Sequence, residues 1–305
     1  AARGANAVLL GAVGGPRWDA APSERRPERG LLRLRRGLGV FANLRPVRPH
    51  PALLGISPLR PEHVVGVDLL FVRELTGGLY FAEPKWRRRE NDTDRAVDTL
   101  AYDEHEIRRV VQLAFRLAAE RRAKVTSIDK ANVLQTSRLW RDVATALGSE
   151  YPTIALDHQL VDSAAMRLLT DAASFDVVVT ENMFGDILTD EAAALVGSLG
   201  LLPSASISGL GGETSGPGLY EPIHGSAPDI AGRCIANPIG AILSGALLLR
   251  WSLGLELEAR AIESAVDRAL DRGLRTADLR PAGDLATTVE ATRAVLRELE
   301  SPPAL

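Results

Sequence analysis

Short apolar runs alternate along this chain with longer stretches in which apolar residues recur every three or four positions. The runs at 8–10, 69–72, 125–128, 153–156 and 175–179 predict β-strands. Helical spacing predicts helices over 104–122 and 137–147, then a helical C-terminal part over 238–253, 256–272 and 286–298, ended by Pro302-Pro303. Strands alternating with helices argue an α/β class with a largely parallel sheet. The stretch 85–98 is rich in charge and poor in apolar residues, which predicts an exposed, solvated loop. A second loop, 208–218, is rich in glycine but lacks the GK[ST] ending of a phosphate-binding P-loop.

With 305 residues, 46% hydrophobic and 25% charged, the chain can bury a large core as one compact domain or two joined ones. A net charge of -3 gives no global pull toward nucleic acid or an anionic membrane, so any anion site must be local. Arg87-Arg88-Arg89 has only Trp86 beside it as a stacking platform, too little for a nucleic-acid surface. Cys234 is the one cysteine, which rules out an intramolecular disulfide. The apolar stretch 239–249 is too short to span a bilayer and reads as a core helix. No secretory signal is visible, and a cytoplasmic location is expected. The chain has no initiator Met and reaches Ala7-Val8-Leu9-Leu10-Gly11-Ala12-Val13-Gly14-Gly15 with no element ahead of it, so preceding sequence is expected to be missing.

The sharpest chemical signal is Asp186-Ile187-Leu188-Thr189-Asp190. It comes after the buried strand Val177-Val178-Val179 and an expected turn at Gly185. Two carboxylates four residues apart share a helix face and can bridge a hard divalent cation, although taken alone such a pair is more often an N-cap and a solvated neighbour. Arg35, Arg45 and Arg73 sit in settings that do not read as helix surfaces, and guanidinium forks would suit a di- or tricarboxylate, unless each simply pairs with a nearby Glu. Lys130, just past the strand end Ser127-Ile128-Asp129, stands at the C-terminal mouth of a strand, where α/β enzymes place chemistry and where a lysine can act as a base. The bland reading is a surface lysine. Gly225-Ser226-Ala227-Pro228-Asp229-Ile230-Ala231-Gly232 combines a flexible turn, a capping Ser and a Pro at a helix start, a plausible seat for a nucleotide. Neither it nor 11–15 is a G-x-G-x-x-G motif, so a nicotinamide cofactor would not be held in the Rossmann manner.

Together with Gly14-Gly15-Pro16-Arg17-Trp18, Phe41-Ala42-Asn43-Leu44-Arg45-Pro46, Arg73-Glu74-Leu75-Thr76-Gly77-Gly78-Leu79-Tyr80-Phe81 and Asp129-Lys130-Ala131-Asn132-Val133-Leu134, these blocks resemble the bacterial 3-isopropylmalate dehydrogenase family, within the isocitrate/isopropylmalate dehydrogenase superfamily. The similarity runs in the family's order to about Leu299. It implies a non-Rossmann α/β fold of two intimately joined domains around a central cleft: 1–40 plus 193–305 on the cofactor side, and 41–192 for substrate and dimerisation, with an exposed arm near 80–100. It also implies a homodimeric, NAD-linked, metal-dependent enzyme that oxidises and decarboxylates 3-isopropylmalate in leucine biosynthesis.

By the same resemblance Arg35, Arg45 and Arg73 clamp the malate carboxylates. Asp186 and Asp190 hold Mg²⁺ or Mn²⁺, joined by Asp162 from the partner. Lys130, also lent across the interface, acts on the C2 hydroxyl proton. Tyr80 returns a proton to the enol, and nearby cations would have to lower its pKa. Glu28, Leu31 and Leu32 match the isopropylmalate pattern, the leucines offering an apolar wall. Asp229 would accept the ribose hydroxyls and repel a 2′-phosphate, favouring NAD, with Asn43, His224, Gly225, Ser226, Ala227, Pro228, Ile230 and Asn237 also on the cofactor side. The family's opening strand and its Gly-Asp-Gly-Ile-Gly-Pro-Glu loop have no counterpart here, which is expected to weaken folding or cofactor binding, and Ala82 and Glu181 replace family glycines. The alternatives are a D-malate or tartrate dehydrogenase of the superfamily, or a truncated paralogue that binds or dimerises without turnover.

Overall fold

The computed structural model describes residues 1–305 except 19, 23–24, 211–215, 280–284 and 302–305. The centre of the glycine-rich loop and Pro302-Pro303 lie outside the described residues.

Apolar runs without alternation need burial on both faces, and the sheet supplies it. Strands β1 (Ala7–Leu9), β2 (Ala42–Val47) and β3 (Leu69–Glu74) are followed by β4 (Trp86–Glu90), β5 (Thr93–Val97), β6 (Lys124–Asp129) and β7 (Ala155–Leu160). The last three are β8 (Val177–Thr180), β9 (Pro203–Ile207) and β10 (Gly218–Pro222). Among the described residues, eight of them form one sheet in the order β1-β10-β9-β2-β3-β8-β6-β7. The run β3-β8-β6-β7 is parallel, while β2 pairs antiparallel with both β3 and β9. The class is α/β with a parallel-dominated sheet, as read from the sequence.

Side chains alternate across each strand. Phe71, Ile128 and Val178 enter one core with α5 (Val161–Thr170), α6 (Asn182–Val196), α8 (Glu256–Asp271) and α9 (Thr288–Glu300). Val72, Val125, Val177 and Val179 enter the other with α3 (Glu104–Ala119) and α4 (Gln135–Gly148). α1 (Pro27–Leu38), α2 (Pro61–Val64) and α7 (Ile239–Leu253) complete the set among the described residues. None is long and apolar enough to cross a membrane.

Several expectations are corrected. The charged stretch 85–98 is not a loop: β4 and β5 pair antiparallel, and Trp86 sits under Arg88 and Arg95 at 4.1 and 5.9 Å from its ring, so cation–π contact replaces a core. Arg35 lies in the last turn of α1, a helix that its arginine-rich sequence hid. The run 153–156 shifts to Ala155–Leu160. β2 went unpredicted because Asn43 and Arg45 interrupt its apolar pattern, yet Asn43 is fully buried. Gly185 is no turn, since α6 starts at Asn182.

Candidate active site

Parallel strands β3, β8, β6 and β7 end along one edge of the sheet, and the segments just beyond those ends carry the polar chemistry. β3 delivers Arg73 and Glu74, then a tight turn to Tyr80; β8 runs into α6; β6 ends at Asp129, just ahead of Lys130; β7 leads to Asp162 in the first turn of α5. β2 runs the other way, so its opening residues reach the same edge, with Asn43 opposite Arg73.

The start of α6 is set locally. The Glu181 carboxylate accepts the backbone N–H groups of Phe184 (2.8 Å) and Met183 (3.1 Å), an N-cap that stabilises a helix start by about 0.5–2 kcal/mol. Glu181 thus has a defined task as the cap of α6. Its carboxylate and that of Glu74 both lie 3.2 Å from the Tyr102 hydroxyl, which accepts the Asn182 backbone N–H at 3.0 Å. Glu74 also takes the Thr76 and Gly77 N–H groups at 2.7 and 2.9 Å, fixing the turn that presents Tyr80. Burial, and then the two carboxylates, push the Tyr102 phenol far up; burial raises Glu181.

Once started, α6 lays Asn182, Asp186, Thr189 and Asp190 on one face against β2 and β3. Asn182 Oδ1 accepts both Nε (3.1 Å) and Nη2 (2.8 Å) of Arg73, while Arg73 Nη1 donates to Asp186 Oδ1. The Tyr80 hydroxyl donates to the other oxygen of Asp186 at 2.7 Å. Arg45 donates through Nε to Asn43 (2.7 Å) and through Nη1 to Thr189 (2.6 Å), and stands 3.6 and 3.5 Å from Asp186 and Asp190. Burial and then the neighbouring Arg73 charge lower Arg45 to about 10. Burial acts to raise Asp186, but Arg73, the Tyr80 hydroxyl and Arg45 outweigh it and hold the carboxyl low; Asp190 is raised by burial.

The Tyr80 expectation is corrected. Burial and the Asp186 hydrogen bond, not cations, dominate, and the phenol is pushed up to about 12, so it stays protonated at neutral pH.

Arg35 is paired with Glu221 at 2.7 Å, and its charge is felt by both Arg45 and Arg73. Its Nε is buried with no hydrogen-bond partner, an N–H that an anion could satisfy. Glu28 lies in the first turn of α1 near Gly14, and Leu31 and Leu32 come next on the same helix.

Lys130 and Asp162 bond to each other and, among the described residues, not to the arginine–aspartate group. Both are partly exposed, at 26% and 64% of their side chains. No group of three His, Cys, Asp or Glu side chains that could hold a metal occurs among the described residues. Asp186 and Asp190 thus offer two hard carboxylate ligands from one helix face and leave most of a divalent ion's six or more oxygen positions to other donors.

In the expected nucleotide seat, Gly225 to Asp229 are exposed, with Ala227 at φ 42° and a three-residue 3₁₀ turn Pro228–Ile230. The expected helix start with a Ser cap is therefore corrected: no side chain caps this turn. Asp229 is exposed and makes no hydrogen bond or ion pair among the described residues, as a ribose acceptor requires. His224 Nδ1 lies 2.9 Å from the Gly225 carbonyl. Asn43 and Asn237 are already engaged, Asn43 by Arg45 and Ser206, Asn237 by Asp278 and the Ile239 N–H.

Sequence reading missed Asn182 and Thr189, although their spacing of four and three residues from Asp186 was a usable signal. The Glu74–Tyr102–Glu181 support left none, being assembled from three distant segments.

The model of the isocitrate/isopropylmalate dehydrogenase family matches residues 1–295 of the chain. The 3-isopropylmalate dehydrogenase of Anaeromyxobacter dehalogenans is 66% identical over 293 residues, covering 96% of this chain and 81% of that protein. That of Geobacillus kaustophilus is 59% identical over 281 residues, covering 92% and 74%. Among solved structures, isocitrate dehydrogenase from Methylococcus capsulatus superposes with a TM-score of 0.83 at 32% identity, over 96% of this chain and 82% of that one.

Gly185 has no room for a side chain, since a Cβ there would stand 2.5 Å from Arg73 Cγ. Gly185→Ala is expected to lower unfolding free energy by about 1–3 kcal/mol. Displacing the Arg73 guanidinium should weaken dicarboxylate binding roughly tenfold, read by calorimetry. Binding as tight as the parent's would show that this contact does not hold Arg73 in place.

Proposed function

Because the chain belongs to the isocitrate/isopropylmalate dehydrogenase family, we propose that it is an oxidoreductase that oxidises and decarboxylates (2R,3S)-3-isopropylmalate to 4-methyl-2-oxopentanoate with NAD, in leucine biosynthesis. The observation that carries the reading is one polar cluster, in which Arg45 and Arg73 meet Asp186, with Asp190 and Tyr80 beside them and the Arg35 charge felt by both arginines. The curated relatives at 53–66% identity, all named 3-isopropylmalate dehydrogenase, supply the substrate.

In this reading the three guanidinium groups bind the two malate carboxylates, the unpartnered Arg35 Nε among their donors. Leu31 and Leu32 give the isopropyl group an apolar wall, with Glu28 beside them at the mouth of the site. Asp186 and Asp190 would hold a divalent cation, Mg²⁺ or Mn²⁺, which when bound polarises substrate oxygens. Asp229, with Gly225, Ser226, Ala227, Pro228, Ile230 and His224 around it, would hold NAD, the hydride acceptor, and Asn43 and Asn237 shape that side from within. Lys130 takes the proton of the C2 hydroxyl as hydride leaves C2. The β-keto acid so formed would lose CO₂, the electron pair of the broken C–C bond passing into an enolate, and Tyr80 would return a proton to its carbon.

A homodimer completes the site. The pairing of Lys130 with Asp162, apart from the arginine–aspartate group, supports their use in a partner's cleft. The two halves are 1–40 plus 193–305 on the cofactor side and 41–192 on the substrate side. A cytoplasmic location fits a biosynthetic enzyme with NAD as oxidant.

Absorbance at 340 nm tests this reading. NADH is expected from 3-isopropylmalate with Mn²⁺ in clear preference to D-malate, and no NADH from either would overturn it. Lys130→Ala should lower kcat about a hundredfold or more with substrate binding largely kept, whereas undiminished turnover would remove Lys130 from the proton transfer. Asp229→Lys should raise KM for NAD and shift preference toward NADP; an unchanged ratio would exclude the ribose contact.

A further inference from the structure

α1 carries a stripe of positive charge that the proposed reaction does not use. The helix holds Arg29, Arg33, Arg35 and Arg36 against the single carboxylate of Glu28, in a protein whose net charge is -3, and of these the proposed reaction uses only Arg35. Arg29, Arg33 and Arg36 recur at four and three residues and so share a helix face. That face looks onto the segment after Tyr80, and between them lies a pocket of about 200 Å³ walled by Arg29, Leu32, Arg33, Arg36, Tyr80 and Lys85.

The charges in this pocket are not spent on one another. Arg36 stacks over Phe81 at 5.4 Å. Among the described residues the side chains of Arg29, Arg33 and Lys85 have no carboxylate, hydrogen-bond or ring partner. The one carboxylate in the wall, Glu83, already accepts the Lys85 backbone N–H at 2.8 Å. A solvated arginine face usually needs no explanation. Here it closes one side of a pocket, and Leu32 and Tyr80 in that wall also belong to the proposed substrate site.

We propose that this pocket is an anion vestibule, which attracts and transiently binds dicarboxylates on their way to Arg35, Arg45 and Arg73. The inference rests on the proposed function for the identity of the substrate, but not for the binding itself. Exposed, freely rotating arginines recognise charge more than shape, so the vestibule takes dicarboxylates as a class. Its field extends about one Debye length, roughly 10 Å at 0.1 M salt, and such fields raise capture of opposite charge by about tenfold or more.

The test is the salt dependence of the double variant Arg29→Gln/Arg33→Gln. At low ionic strength its KM for 3-isopropylmalate should be about three- to tenfold above the parent's with kcat within twofold, and the gap should close as salt screens the field. Arg29→Lys/Arg33→Lys should keep the parent's low-salt KM, because charge is retained. A double Gln variant with the parent's KM and salt slope, or with a lower kcat at unchanged KM, would overturn the vestibule. If the parent makes no NADH at all, the functional reading fails separately. Calorimetric Kd values for D-malate at low and high salt then decide the vestibule by the same contrast, equal values for parent and Gln variant overturning it.

Discussion

Arg73 is a guanidinium buried at the end of a central strand, and the arrangement around it is dictated by the need to pair it where it stands. An unpaired charge in that position would cost several kcal/mol, and burial alone would drive its pKa down. Asn182 and Asp186 meet it, both from one face of α6, so the helix has to dock with that face inward. Gly185 lets the helix backbone come close enough, since any larger residue would strike the Arg73 stem. The ion pair therefore fixes where α6 lies and, with it, where Asp190 and Thr189 stand.

A second layer of polar contacts holds the first. Glu74 braces the turn after β3 and Glu181 caps α6, and the Tyr102 hydroxyl lies between their carboxylates. One hydroxyl proton serves two buried acids, a costly arrangement that stays satisfied only because backbone N–H groups take up the remaining acceptors. Tyr102 reaches this position from the segment ahead of α3, and its ring meets Trp140 edge-on at 6.0 Å. The packing of α3 and α4 thus reaches this edge through Tyr102, and α3 also reaches it through Arg109, which donates to Thr76.

Charge is divided by depth. Arg35, Arg45 and Arg73 each already have an acidic or amide partner, as their burial demands, with the buried Nε of Arg35 left without one. On the outer face of α1, Arg29 and Arg33 stand unpaired among the described residues because water can solvate them. The same residue type is thus paired in one place and solvated in the other.

Much of this was legible in the chain. The central parallel strands β3, β6 and β8 announce themselves as apolar runs because both of their faces are buried, and Asp186 and Asp190 show their shared face through helical spacing alone. Six blocks, 14–18, 41–46, 73–81, 129–134, 184–190 and 225–232, together indicated the family. What the linear pattern could not carry was anything that depends on distant segments meeting. β2 hid because its polar residues are buried against α6, α1 because arginines masked its periodicity, and the β4–β5 hairpin because cation–π contacts stand in for a core. The rise of Tyr80 to about 12 could not be foreseen, since it comes from burial and then from a hydrogen bond between residues 106 positions apart. Local periodicity and residue chemistry are properties of neighbours along the chain, and the sequence determined them alone; which charges face each other, and how far water is kept from them, is a property of neighbours in space, and only the tertiary structure decided it.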